Sequence, residues 1–84
     1  MTTQQTIAHF IGAQLLEGSR EVGVHDEVVL DGTIDSLGVT RLIAFLEKEF
    51  GVTIAAQDVT IENFLSATTM AAMVDGRQAM EPAQ

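Results

Sequence analysis

In TTQQTIAHFIGAQLLEG, residues 2–18, the apolar side chains Ile7, Phe10, Ile11 and Leu15 recur at the three-and-four spacing of one helical face. Thr2 or Thr3 can cap such a helix and Gly18 can end it, so a first helix is expected over about residues 3–17. The pattern then breaks up. Gly18, Gly23 and Gly32 punctuate a charged stretch whose one apolar clump is Val28, Val29 and Leu30. The clump could pass for a strand, but no second run of comparable strength exists to pair with it. A long loop over about residues 18–35, pinned to the core by its Val and Leu side chains, is the reading that follows. A connection of that length in a small domain is unusual and marks a candidate functional element.

The clearest helix is SLGVTRLIAFLEKEFG, residues 36–51. At about 100° per residue, Val39, Leu42, Ile43, Leu46 and Phe50 gather in one apolar arc, and Gly51 supplies the stop, giving a helix over about 36–50. Thr40, Arg41, Ala44, Glu47 and Lys48 point away from the arc, together with the apolar Leu37, and Phe45 lies behind them. After the loop GVTIAAQDV, Asp58 or Thr60 can open a short helix over about 59–65 through Ile61, Phe64 and Leu65. Ser66 can cap a last helix over about 67–79 that carries Met70, Met73 and Val74, followed by a frayed tail, 80–84, around Pro82. The expectation is an all-α single domain over 1–84, a four-helix bundle with three longer helices and a short third one.

Composition narrows what such a bundle can do. With 84 residues, 46% of them hydrophobic, and only four aromatic side chains, all Phe, the core must come mainly from Val, Ile, Leu, Met and Ala. A formal charge of −8 disfavours nucleic acid and acidic membrane surfaces as partners and favours basic patches on other proteins. Without cysteine there is no disulfide, thiolate metal site or thiol nucleophile, so any sulfur chemistry must be added from outside. No basic start with an apolar run marks a secretory signal, and no stretch of about eighteen apolar residues spans a membrane. A cytoplasmic, free-standing chain beginning at Met1 is the expectation.

The candidate chemistry sits at DGTIDSLG, residues 31–38, where loop gives way to the strongest helix. Either Asp35 or Ser36 can serve as a helix cap, because both side chains accept from the unpaired first-turn amides. The sharper reading holds the Ser36 hydroxyl in the open at the positive end of the helix, where backbone amides favour a phosphate. Asp35 places negative charge beside it, and Gly38 removes bulk in the first turn at a helix cost of about 1 kcal/mol relative to Ala. The stretch lacks the glycine cradle and lysine of a phosphate loop and the Gly and Glu positions of a calcium loop. His9 and His25 are the only imidazoles, and nothing in their spacing ties either to Ser36 as a catalytic base or to a metal.

The stretch DSLGVTRLIAFLEKEFGV, preceded by LDGTI and followed by a short helix and the SATTMAAMV helix, resembles the phosphopantetheine-dependent carrier proteins, which include acyl carrier proteins and the peptidyl and aminoacyl carriers. The resemblance implies the acyl-carrier bundle and a 4′-phosphopantetheine arm, donated from coenzyme A by a separate phosphopantetheinyl transferase that normally uses magnesium. The arm would be esterified to Ser36 within the flanking motif Asp35, Leu37 and Gly38. A cargo would ride as a thioester on the arm's thiol, so the chain is a non-catalytic substrate of other enzymes. The same resemblance makes the helix beginning at Ser36 the docking surface, nominating Leu37, Thr40, Arg41, Ala44 and Lys48 toward a cargo-loading ligase or acyltransferase and a downstream synthase or transferase. The chain is expected to act as a monomer.

One departure is informative. Gly38 and Arg41 stand where carriers of fatty-acid synthesis place acids soon after the Ser-Leu pair, which removes negative charge from a basic partner's target. A carrier dedicated to one pathway (polyketide, nonribosomal peptide or aminoacyl transfer) is the reading this favours, with a fatty-acid carrier as the alternative. An acidic helical interaction module without any prosthetic group is the alternative of another class.

Overall fold

The structure, a computed structural model, describes residues 1–80; of the tail expected over 80–84, residue 80 instead closes the last helix and residues 81–84 lie outside the described residues. Four α-helices are present among the described residues and no strand. Helix α1 spans Thr3–Phe10 and runs on as a π-helical segment, Ile11–Leu15. Helices α2 (Ser36–Phe50), α3 (Ile61–Phe64) and α4 (Ala67–Met80) follow, with a 3-10 turn at Ala56–Asp58 before α3. Residues 16–35 carry turns and bends only.

Caps fix where these helices begin. Thr2 and Gln5 form a reciprocal capping box on α1, the Thr2 hydroxyl accepting from the Gln5 amide at 3.1 Å and the Gln5 side chain accepting from the Thr2 amide at 2.9 Å. Thr60, rather than Asp58, caps α3 by accepting from the Asn63 amide at 3.1 Å, while Asp58 ends the 3-10 turn. At the entry to α4, Ser66 accepts from the Thr69 amide at 3.3 Å and donates its own amide to the Thr69 hydroxyl at 3.0 Å. Gly51, at φ 65°, ends α2 in the left-handed conformation that glycine adopts without strain.

The core joins Ile7 and Ile11 of the first helical stretch, Leu42 and Leu46 of α2, Phe64 of α3, and Met70, Ala71 and Val74 of α4. Val28, Ile34, Val52 and Ile54 enter it from the connections. Helix α4 is the central contact, packing on α1, α3 and α2, and its small residues Ala67 and Ala71 are buried there. Phe10, Leu15, Val39, Ile43, Phe50 and Met73 pack half-buried around this centre.

Three sequence expectations are corrected. Phe45 does not lie behind an open face: its ring stacks on Phe10 of α1 at 4.0 Å between centroids and meets Phe50 edge-on at 6.2 Å, so a ring from another helix covers a position of α2 outside the apolar arc. Leu30 does not pin the loop, being 62% exposed. The chain turns there, with the Asp31 amide bonded to Glu27 O and the Ile34 amide to Val28 O, so that Val28 and Ile34 point inward and Leu30 outward. Ile61 on the four-residue α3 is 59% exposed, and Phe64 alone anchors that helix in the core.

The long connection is tied to the bundle along its length. Gly12 lets it approach the π segment closely, since a Cβ on Gly12 would stand 3.0 Å from the Arg20 carbonyl oxygen. Val24 O accepts from both the Thr68 amide and the Thr68 hydroxyl at the start of α4, and His25 Nδ1 lies 3.2 Å from that hydroxyl.

Candidate attachment site

The segment leading to Ser36 is shaped by its own short-range bonds. The Asp31 carboxylate accepts from the Thr33 amide at 2.8 Å and from the Thr33 hydroxyl, an Asx-type turn that Gly32 completes at φ 79°. The Thr33 hydroxyl also accepts from Arg20 Nη2 at 2.7 Å. Those two Thr33 donors, with Arg20 adding its charge, hold the Asp31 carboxyl below the usual carboxylate range. Buried Ile34 anchors the segment from beneath, so the backbone reaches Asp35 in a fixed direction.

Asp35 is the cap. In an extended conformation, φ −108° and ψ −172°, its carboxylate accepts from the Gly38 amide at 2.9 Å, and its carbonyl accepts from the Val39 amide. Ser36 is therefore the first helical residue. Its side chain is exposed, its carbonyl accepts from the Thr40 hydroxyl at 3.1 Å, and its own hydroxyl makes no hydrogen bond among the described residues. The amides of Ser36 and Leu37 likewise have no acceptor among the described residues, as first-turn amides do not. An exposed alcohol beside two open amides, at the positive end of a fifteen-residue helix, suits a phosphoryl group in shape and charge.

Gly38 has a different reason from the one read in the sequence. A Cβ there would meet Ile34 Cβ at 3.3 Å and Asp35 Oδ1 at 3.5 Å. The missing side chain thus accommodates the buried anchor and the cap, not the Ser36 hydroxyl.

Leu37, Thr40, Arg41, Ala44 and Lys48 all lie exposed along one stripe of α2, with Leu37 70% exposed. Glu47, at the border of the stripe, is half-buried and accepts from the Ile54 amide at 2.9 Å. The chain has four Lys and Arg side chains. Two are engaged, Arg20 with Asp26 at 3.6 Å and Arg77 with Asp58 at 3.7 Å. Among the described residues Arg41 and Lys48 make no ion pair, and both lie on this stripe.

Neither imidazole bonds to the Ser36 hydroxyl: His9 is exposed on α1 and His25 contacts Thr68. The described residues contain no grouping of three or more His, Asp or Glu able to hold a metal, and no helix among them is long and apolar enough to cross a membrane. A groove of about 700 Å³ between α1 and residues 18–24 includes none of the motif residues. A smaller cleft, of about 250 Å³, adjoins the motif and brings in Leu15, Gly32, Thr33 and Ile34. The sequence had placed Gly32, Thr33 and Ile34 in the DGTIDSLG stretch but gave no sign that Leu15, on the first helix, would join them.

The comparison with curated proteins gives no match. The family model described as the phosphopantetheine attachment site matches residues 5–75, which takes in most of α1, the long connection, α2, α3 and most of α4. Members of that family carry a covalently attached 4′-phosphopantetheine group, receive it from a phosphopantetheinyl transferase and present cargo on it to partner enzymes. The match covers well over half the chain and ends within its last helix: the chain belongs to the phosphopantetheine-dependent carrier family.

Proposed function

We propose that Ser36 is the attachment point of the arm, and that the chain serves as a discrete carrier of acyl or aminoacyl cargo in a dedicated biosynthetic pathway. The observation that carries this reading is the Ser36 hydroxyl itself, exposed and unbonded among the described residues beside the open amides of α2. In the transfer from coenzyme A that oxygen gives up its proton and bonds to phosphorus, and the adenosine bisphosphate half leaves. The chain's own part is to present the alcohol, keep Asp35 on the cap and favour the added negative charge with the first-turn amides. The arm, when present, supplies the thiol that this cysteine-free chain lacks. On this reading the chain performs no catalysis of its own and works in the cytoplasm as a monomer. Co-expression with a promiscuous phosphopantetheinyl transferase is expected to raise the intact mass by one arm. An unchanged mass would instead favour an interaction module without a prosthetic group.

The dedicated pathway rests on Gly38 and Arg41, which put no acid where carriers of fatty-acid synthesis have them. Docking on Leu37, Thr40, Arg41, Ala44 and Lys48 then calls for a partner with an apolar socket for Leu37 and carboxylates facing the two cations. Arg41→Glu combined with Lys48→Glu is expected to lower kcat/KM for cargo loading by the cognate ligase or acyltransferase about tenfold or more, while arm attachment stays near the parent rate. Equal loading of the double variant would remove this stripe from the interface.

A further inference from the structure

Arg20 lies well before Ser36 in the chain and outside the attachment motif, yet it reaches the turn that leads into it. Its Nη2 donates to the Thr33 hydroxyl at 2.7 Å, and that hydroxyl donates onward to the Asp31 carboxylate. The same carboxylate accepts from the Thr33 amide at 2.8 Å, so Arg20 bonds to the side chain that closes the turn. Its other terminal nitrogen, Nη1, lies 3.6 Å from Asp26 Oδ2 and donates to the Glu21 carbonyl at 3.3 Å. Asp26 is fixed in its place by the Gly23 amide, which donates to Oδ2 at 2.9 Å. The base of this clamp is seated on the first helical stretch, because the Arg20 carbonyl comes so close to Gly12 that a Cβ there would stand 3.0 Å from it. One residue thus joins the π segment, the start of the long connection and its end. A planar fork bonds in two directions at once, which an ammonium on a flexible stem does less firmly.

We propose that Arg20 is a positioning residue for arm attachment: acting through Thr33, it keeps the turn at residues 31–33 ordered, so that a transferase reaching the Ser36 oxygen meets a fixed surface. The proposal rests on Ser36 as the attachment point. Buried Val28 and Ile34 hold the chain on either side of this turn, but Leu30, Asp31 and Gly32 between them are exposed, so hydrogen bonds rather than packing shape it. An exposed turn closed by side-chain bonds belongs to the parts of a fold that open at low cost. Loss of the clamp therefore loosens the turn without unfolding the bundle. A transferase that needs the ordered turn must then order it on binding, which raises its KM for the carrier and leaves the chemistry at the Ser36 oxygen as it was.

The test measures transferase kinetics with coenzyme A on the full-length chain, read by intact mass, together with an unfolding curve for each variant. Arg20→Gln and Thr33→Val are each expected to raise the KM for the carrier about threefold or more while kcat stays near the parent value. The double variant is expected to be no worse than the poorer single one, since both substitutions remove the same bond. Thr33→Ser, which keeps the hydroxyl, is expected to retain the parent KM. All four are expected to unfold close to the parent midpoint, because the Arg20 ion pair is exposed and Val28 and Ile34 stay buried. A merely structural role would lower that midpoint and leave KM alone, and that pattern would overturn the proposal. So would a raised KM for Arg20→Gln with Thr33→Val at the parent value, which would mean that Arg20 touches the transferase directly. A parent that gains the arm while both single variants share its KM removes Arg20 and leaves Ser36 as the anchor. A parent that gains no mass fails at the earlier step, and the positioning role falls with it.

Discussion

Ser36→Ala is expected to abolish arm attachment completely while leaving thermal and urea stability within about 0.5 kcal/mol of the parent, as for a surface substitution away from packing or caps. The two halves of this expectation have separate causes. The hydroxyl is exposed and donates to nothing among the described residues, so its removal breaks no hydrogen bond and opens no cavity. The cap of α2 belongs to Asp35, which the substitution does not touch. Alanine also fits the first turn of a helix well. Intact mass after co-expression with the transferase reads the chemical half, and an unfolding curve on the same sample reads the other. An alanine variant that still gained one arm would move the attachment elsewhere. A large loss of stability would mean that Ser36 caps the helix after all.

Phe64→Ala is expected to have the largest effect on the fold. Phe64 is 2% exposed and fixes α3 in the core, and α3 has only four residues, too few to hold themselves helical. Loss of a buried Phe ring costs about 3–5 kcal/mol, a large share of the 5–15 kcal/mol that stabilises a typical domain. For a domain of this size that is a fall in Tm of roughly 15–30 °C. Leu37→Ala serves as the control: it removes a comparable apolar side chain that is 70% exposed, and its Tm is expected to stay near the parent value. A Phe64→Ala protein that lost less than about 1 kcal/mol would show that α3 is held by its Thr60 cap and the bond from Asn63 to the Asp58 carbonyl rather than by the ring.

How much of this was legible in the sequence depends on whether the signal was local. The helical class, the helix order and the Ile7, Ile11, Leu42, Leu46, Met70 and Val74 core are carried by spacing within one helix, and spacing is readable along the chain. So is a hydroxyl at a helix start, though which of Asp35 and Ser36 would cap was open until the Asp35 to Gly38 bond was seen. What was not legible depends on distant contacts. A helical wheel cannot show that α1 lies against Phe45, nor that Ile34 rather than Leu30 turns inward after Val28. The hydrogen bond from Arg20 to Thr33 joins residues thirteen apart in an aperiodic stretch, where neither side chain advertises its partner. The cleft beside the motif joins Leu15 of the first helical stretch to residues 32–41, a pairing that no local stretch of sequence contains.

The distribution of cations has a consequence for how the protein travels. Arg20 and Arg77 each have their charge answered by a nearby aspartate, so they contribute little to the field outside. Against a net charge of −8, the positive charge of Arg41 and Lys48, which no ion pair among the described residues answers, is gathered on one flank of α2 and makes the charge distribution lopsided. Were a carboxylate-rich partner to dock on the proposed stripe, such a body would turn as it approached, and more collisions would begin with that stripe in front. Added salt shortens the reach of that torque to a few ångströms and returns the encounter to chance.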